Sequence, residues 1–302
     1  MKKRKEKIIV VCGQTASGKS ALAVALAKHL GGEIISADSR QVYKGLDIGT
    51  EKMTKKEMEG IPHHLIDVAS PKKQFTAADF KRLTKNKIAE IQNRGRIPIL
   101  CGGTGFYIDA VLYDTSIPNV PPNAILRRTL SKKTASELFS ILKKLDPKRA
   151  RAIDSKNPRR LIRAIEIVRH TGKPVSPLVK KKSAYDALIL GVAFRRDALA
   201  RRISLRLDRR LRQGMVREVR NLIKKGVGHR RLQELGLEYR FISLYLQKKL
   251  SQNEMREKLN TTIRQYAKRQ ETWFKRNRSI RWIFPPSISK KAVALSSSFL
   301  KR

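Results

Sequence analysis

Gly13, Gly18, Lys19 and Ser20 stand in the pattern G-x-x-x-x-G-K-[ST] inside the stretch VVCGQTASGKSALAVALAKHL, residues 10–30. Glycines at those places let a loop curl until several backbone N–H groups point inward, the geometry that polyphosphate oxygens require. A helix starting at the end of the loop adds the positive pole of its dipole. The lysine can reach terminal phosphates, and the serine hydroxyl is a hard oxygen ligand suited to Mg²⁺. The loop Gly13, Gln14, Thr15, Ala16, Ser17, Gly18, Lys19 and Ser20 is therefore the expected cradle of a phosphorylated ligand. The second chemical group is Asp38, in SADSRQVYKGLDIGT (residues 36–50), directly after a β-rich run. In an open α/β sheet the carboxyl ends of strands face the ligand crevice. Two jobs fit Asp38 there: a general base beside the ligand, or a cap for the turn at Ser39 and Arg40.

What is missing narrows the class. The motif alone admits an ATPase, a GTPase or a kinase. The second and fourth apolar runs do not end in the aliphatics and Asp that hold Mg²⁺ in nucleotide triphosphatases. The chain has no NKxD-like guanine reader and no DDxxD pair.

These residues need elements to hold them. Strands are expected at 7–12, 33–37, 64–68, 97–101 and 187–194, and helices at 19–30 and 77–94. That alternation argues an α/β fold with a parallel sheet and helices on both faces. The proline-rich segment DTSIPNVPPN (114–123) interrupts it. Only helical patterns follow, at 124–130, 134–145, 148–153 and 158–170, closed by TGKPVSPLVKKK. This block of about 65 residues reads as an all-helical insertion into the sheet domain. Basic helices are expected at 197–212, 216–225, 237–248 and 252–276, then a short strand IRWIF and a frayed tail. The expected divisions are 1–116 for the first part of the core, 117–185 for the insertion, 186–284 for completion of the core and 285–302 for the tail.

The 302 residues carry 68 Lys+Arg against 25 Asp+Glu, a net charge of +43. A small anionic metabolite needs no field of that size, whereas a nucleic acid does; a proteome that is basic throughout is the other source of such a balance. Cys12 and Cys101 each end an apolar run and read as buried thiols in a reducing compartment, with no disulfide framework or metal knuckle. No apolar run approaches the length of a membrane span. The basic MKKRKEK leads through a short apolar run straight into the glycine loop, so no signal peptide and a cytoplasmic location are expected.

In order, GQTASGKS, ISADSRQVYKGLDIGTEK, IPHHLIDV, FTAADF, PILCGGTGFYIDAVLYD, NPRRLIRAIEI, TGKPVS and RQYAKRQETWF resemble the tRNA dimethylallyltransferases, also called tRNA isopentenyltransferases, from about residue 7 to 284. The resemblance implies a P-loop-type parallel-sheet core with an inserted all-helical tRNA-binding domain; a monomer is expected. It implies dimethylallyl diphosphate and a tRNA anticodon stem-loop as substrates, with Mg²⁺ as cofactor on Ser20. The allylic C–O bond breaks and the carbon passes to N6 of adenosine 37, just 3′ of the anticodon in tRNAs that read codons beginning with U. The products are N6-isopentenyladenosine and diphosphate. The loop would then hold a leaving group, which explains the missing triphosphatase parts.

The same resemblance implies roles by residue. Asp38 matches the general base, and Thr15 lies near the bridging diphosphate oxygen. Lys19, Arg202 and Arg206 hold the diphosphate, so the implied catalytic set is Thr15, Lys19, Asp38 and Arg206. For Arg202 and Arg206 a solvated basic helix is the plainer alternative, and for Thr15 a simple loop hydrogen bond. The implied tRNA contacts are Asp38, Ser39, Arg40 and Gln41; Thr104 in CGGTGFY, against the target nucleotide; Arg159, Arg160, Leu161, Ile162 and Arg163; and Arg264 and Lys268, with Arg269 beside them. Phe106 and Tyr107 are candidates to stack on a base swung out of the loop. The chain departs from the family pattern at Ile263, where the family has Thr, and at GLEYR (236–240) in place of a GYKE-like turn. Two other readings remain open: a P-loop small-molecule kinase, and an RNA-binding protein whose loop senses a nucleotide.

Overall fold

The structure, a computed structural model, describes residues 5–176 and 182–302. Residues 177–181, part of the closing TGKPVSPLVKKK segment, lie outside the described residues. The elements run β1 (Lys7–Gly13), α1 (Lys19–Leu30), β2 (Gly32–Ser36), β3 (His63–His64), α2 (Ala77–Asn93), β4 (Ile97–Gly102), α3 (Gly105–Leu112), α4 (Ala124–Leu130), α5 (Ala135–Leu145), α6 (Pro147–Ala152) and α7 (Pro158–Thr171). They continue with β5 (Asp186–Val192), α8 (Arg196–Arg212), α9 (Met215–Lys224), α10 (His229–Leu235), α11 (Leu237–Leu246), α12 (Gln252–Phe274), β6 (Ile280–Ile283) and α13 (Ile288–Lys301). Two compact units result: Met1–Asp114 with Lys181–Arg302, and Thr115–Lys180.

The larger unit is built on six parallel strands in the order β3-β2-β4-β1-β5-β6. Strand β1 is buried on both faces, as a central parallel strand must be. Ile8, Val10 and Cys12 pack with Phe80, Ile88, Tyr107 and Ile108 on the α2/α3 side. Ile9 and Val11 pack with Leu22, Leu26 and Ala292 on the α1/α13 side. Helix α1 stops at Gly31, whose φ of 63° suits a residue without a Cβ. A separate core joins α8, α9, α11 and α12 through Ile203, Leu207, Val219, Tyr239 and Leu259, and takes in Val42, Tyr43 and Leu46 from the segment after β2. Ile263 is buried in that cluster, so this departure from the family pattern lies in packing and not on the surface.

Three expectations need correction. The strand expected at 64–68 shrinks to His63–His64. Leu65 and Asp67 take φ of 60° and 57°, a left-handed backbone that no strand continues through. Residues 105–112 and 229–235, given no element in the sequence reading, are the helices α3 and α10. The frayed tail is instead helix α13: Ala292 and Ser296 are buried, and Leu295 and Phe299 pack on the sheet core at helical spacing.

The smaller unit is all helical around Leu138, Leu142, Leu161 and Ile165. Its helix starts carry explicit caps: a capping box of Thr134 with Glu137 on α5, and Asn157 followed by Pro158 on α7. Glu166, 1% exposed, accepts from the Asn123 N–H at 2.7 Å, from Arg127 at 2.8 and 2.7 Å, and from Arg163 at 2.5 Å. Burial favours the protonated acid, but these donors outweigh it and hold the carboxyl below its ordinary range.

Candidate active site

The carboxyl ends of β1, β2 and β4 carry the glycine loop, Asp38 and Thr104. The loop leaves β1 at Gly13, where a Cβ would sit 2.5 Å from the Val192 carbonyl oxygen, and enters α1 through Gly18 at φ 82°. No side chain caps α1 and its first turn holds no acid. Its amino-terminal N–H groups and positive dipole end therefore await an external anion. Lys19 Nζ donates to the Gln14 carbonyl at 3.3 Å, along the inner curve of the loop. Burial lowers the Lys19 pKa from its ordinary value, and Arg206 lowers it further, while Cys101 and Asp38 pull the other way. Beneath the loop, the Cys101 thiol donates to the Lys19 carbonyl at 3.6 Å, and burial pushes its pKa up to about 11.

The Gln14 side chain does not face the cradle; it is buried and its Nε2 donates to the Ala267 carbonyl of α12 at 3.2 Å. The Thr15 N–H is taken by Gln270 Oε1 at 2.8 Å. The Ser17 hydroxyl is buried with no partner among the described residues.

Of the two jobs open to Asp38, the structure shows the turn cap and leaves the carboxylate room for the other. Its Oδ1 accepts from the N–H groups of Arg40 at 2.8 Å and Gln41 at 3.4 Å, a turn cap. Its Oδ2 has no hydrogen-bond partner among the described residues, so one oxygen fixes the side chain while the other stays available for a proton. The Thr104 hydroxyl accepts from the Ser39 N–H at 3.1 Å, joining the β4 loop to the segment carrying Asp38. Tyr266 of α12 closes the group. Burial drives its hydroxyl pKa upward and the Asp38 carboxylate adds to that, while Arg40 and Thr104 pull it back.

Helix α8 supplies the two arginines. Arg202 Nε donates to the Ala16 carbonyl at 2.8 Å, and its guanidinium lies 4.6 Å from the Phe194 ring centre, so it braces the loop itself. Arg206 pairs with Glu51, its Nε donating to Oε1 at 2.6 Å, and Arg209 joins the same carboxylate at 2.9 Å. Burial and the neighbouring Arg210 and Arg209 push Arg206 down to about 10. The segment bearing Glu51 is pinned from α9: Glu218 accepts from the N–H groups of Asp47 at 2.9 Å, Ile48 at 2.5 Å and Gly49 at 3.1 Å, and from the Tyr239 hydroxyl at 2.9 Å. Nothing in the spacing of Glu51, Glu218 or Gln270 marks them in the sequence, although Gln270 lies inside RQYAKRQ.

The residues expected to face RNA divide sharply. Arg159, Arg160, Arg264 and Lys268 are exposed. The Leu161 side chain is 0% exposed and packed in the smaller unit's core, with Ile162 against the same cluster, so burial and not exposure is what the structure shows at these two positions. Arg163 is turned inward to Glu166 and to the Val120 carbonyl at 2.9 Å. Gln41 is tied to the Ser36 hydroxyl at 2.9 Å and the Thr50 carbonyl at 3.2 Å. Of the two candidate stacking rings, Tyr107 is buried against Phe80 with ring centres 4.2 Å apart, and Phe106 meets Trp273 edge to face at 6.3 Å. Among the described residues no group of three His, Cys, Asp or Glu could hold a metal, and no helix is long and apolar enough to cross a membrane. Cys12 and Cys101 are buried and unpaired.

The family model described as IPP transferase matches residues 41–277. A tRNA dimethylallyltransferase of Anoxybacillus flavithermus is 41% identical over 281 residues, 92% of this chain and 90% of that one. One from Bacillus subtilis is 40% identical over 97% of both chains. The crystal structure of a full-length tRNA isopentenylpyrophosphate transferase from Bacillus halodurans superposes with a TM-score of 0.74 at 37% identity, over 98% of this chain and 97% of that one. A eukaryotic dimethylallyltransferase described as acting on tRNA gives a TM-score of 0.82 at 27% identity, over 98% of this chain and 80% of that one.

Proposed function

The chain belongs to the IPP transferase family of tRNA dimethylallyltransferases, and from that premise we propose that it moves a dimethylallyl group from dimethylallyl diphosphate to N6 of adenosine 37, beside the anticodon of tRNAs reading codons that begin with U. It does so as a cytoplasmic monomer. The observation that carries this reading is an uncapped phosphate loop on the same sheet edge as a carboxylate with one oxygen engaged and one without a partner among the described residues.

As the allylic C–O bond breaks, negative charge grows on the departing diphosphate. The loop amides, the amino terminus of α1 and the Lys19 ammonium stabilise that charge where it develops. Arg202 keeps the loop in shape through the Ala16 carbonyl. Arg206 leaves Glu51 to meet the diphosphate. N6 is a weak nucleophile because its lone pair is delocalised into the ring, and Asp38 Oδ2 accepts its proton as the C–N bond forms. Mg²⁺ suits such a site, because beside waters and phosphate oxygens it needs only one or two protein oxygens; Ser20 would supply one, and among the described residues no group of three His, Cys, Asp or Glu could hold the ion instead. Bound there, the ion would neutralise leaving-group charge. The exposed Arg159, Arg160, Arg264 and Lys268 suit phosphate contacts along tRNA, and the charge of +43 suits such a polyanion.

Incubation with labelled dimethylallyl diphosphate and tRNA tests the reading. Label enters tRNA, and Asp38→Ala stops transfer while tRNA still binds. A protein that ignores the dimethylallyl donor yet turns over ATP without tRNA is the kinase instead.

A further inference from the structure

We propose that Gln270 is a positioning residue that fixes the donor half of the site against the acceptor half. The proposal rests on the dimethylallyl-transfer reading above. Gln270 lies on α12 and is 5% exposed. Its Oε1 accepts from the Thr15 N–H at 2.8 Å, and its Nε2 donates to the Gly103 carbonyl at 2.9 Å. One planar amide therefore holds the phosphate loop at one end and the β4 loop at the other. Both partners are backbone atoms, so the only side chain whose rotation could break the link is Gln270 itself, and that side chain is buried. A second clasp lies one turn back on the same helix, where the Ala267 carbonyl accepts from Gln14 Nε2 at 3.2 Å.

The glycines of CGGTGFY make room for this helix. A Cβ on Gly103 would stand 2.2 Å from Gln270 Nε2, and one on Gly105 would stand 2.2 Å from Trp273 Cδ1. The backbone must be bare there for α12 to approach. Thr104, held between those glycines, accepts from the Ser39 N–H at 3.1 Å, and Ser39 adjoins Asp38. A continuous path thus runs from the loop that grips the leaving group, through Gln270 and Thr104, to the base. Its function is to keep Asp38 Oδ2 at a fixed separation from the breaking C–O bond. Group transfer is sensitive to that separation: a misplacement of about 1 Å costs on the order of 10²-fold.

The chemistry selects an amide. Gln offers one acceptor and two donors, matching one N–H and one carbonyl. A carboxylate can still accept from Thr15 but faces the Gly103 carbonyl with no proton, leaving two acceptors opposed. Protonation would restore the donor. This gives the test a readout that a purely structural residue would not move.

The experiment measures single-turnover transfer to tRNA at saturating donor and tRNA, over a range of pH, for wild type, Gln270→Glu and Gln270→Met. Circular dichroism and melting confirm folding, and tRNA binding is measured separately. Both variants are expected to lose about 10- to 100-fold in rate, with tRNA affinity and donor KM within about threefold of wild type. The Gln270→Glu rate, relative to wild type, should rise as pH falls, while Gln270→Met stays at a constant fraction. Folded variants that run at the wild-type rate overturn the proposal, as does a loss of rate that merely follows the unfolded fraction. A Gln270→Glu that does not fold leaves Gln270→Met to decide on the same criteria. If wild type transfers no dimethylallyl group, the functional reading itself fails, which is a different result from an indifferent Gln270.

Discussion

Asp38→Asn separates the two jobs of that carboxylate. Asparagine keeps an oxygen where Oδ1 accepts from Arg40 at 2.8 Å and Gln41 at 3.4 Å, so the turn survives. At the position of Oδ2 it places an amide nitrogen that cannot take a proton. A positioned general base is worth roughly 10²–10⁴-fold, which is about 2.7–5.4 kcal/mol of barrier at 1.36 kcal/mol per decade. Loss of a side-chain cap costs about 0.5–2 kcal/mol of stability. The two changes therefore report different quantities. Asp38→Asn should slow single-turnover transfer of labelled dimethylallyl to tRNA by roughly 10²–10⁴-fold without lowering the melting temperature. Asp38→Ala should show the same slowing plus a lowered melting temperature. If Asp38→Asn transfers at the wild-type rate while Asp38→Ala alone fails, Asp38 is a cap only and the base lies elsewhere.

On the proposed reading the diphosphate must take Arg206 from Glu51, which holds it in a partly exposed pair, and such pairs are worth about 0.2–1 kcal/mol. Glu51→Gln should therefore tighten inhibition by inorganic diphosphate by up to about fivefold, measured as an inhibition constant; unchanged or weaker inhibition would disprove the competition. Lys19 must be protonated to attract diphosphate, and burial lowers its pKa. Donor kcat/KM should accordingly fall on an alkaline limb that begins below the ordinary lysine range, and a profile flat to the ordinary lysine pKa contradicts this. In the smaller unit the Glu166 carboxyl is depressed by Arg127, Asn123 and Arg163 against the effect of burial. Its stabilisation is present above the ordinary carboxylate pKa and is lost as pH falls through the lower folded-state value. Acid melting followed by circular dichroism should show that loss in wild type and a shallower one in Glu166→Gln.

The sequence is most legible where a local rule acts alone. Helix α1 spans Lys19–Leu30 as expected because a glycine turn starts it and Gly31 stops it. The parallel sheet follows from apolar runs alternating with helical ones. Legibility fails where tertiary partners decide. Leu65 and Asp67 break a plausible strand through backbone angles that residue type does not announce. PRRLIR reads as one RNA-facing segment, but the helical period turns Leu161 inward and leaves Arg159 and Arg160 outside. Gln270 is invisible for a different reason: its partners are main-chain atoms 255 and 167 residues away, and a main-chain N–H or carbonyl leaves no mark in the sequence of the side chain it meets. Asp38 is the intermediate case, since its place after a strand is legible while the division of labour between its oxygens is geometry alone.

Cys12 and Cys101 end adjacent strands, with Cys12 paired in register to Gly102 and Val11 to Cys101. They nonetheless belong to cores on opposite sides of the sheet. A pleated sheet that sends neighbouring thiols to opposite faces cannot oxidise them to each other without unravelling. Because Cys101 lies directly under the Lys19 carbonyl, any reagent that labels it must first lift the cradle off the sheet. The rate of that labelling is a built-in gauge of how often the cradle breathes, and an occupying pyrophosphate would slow it.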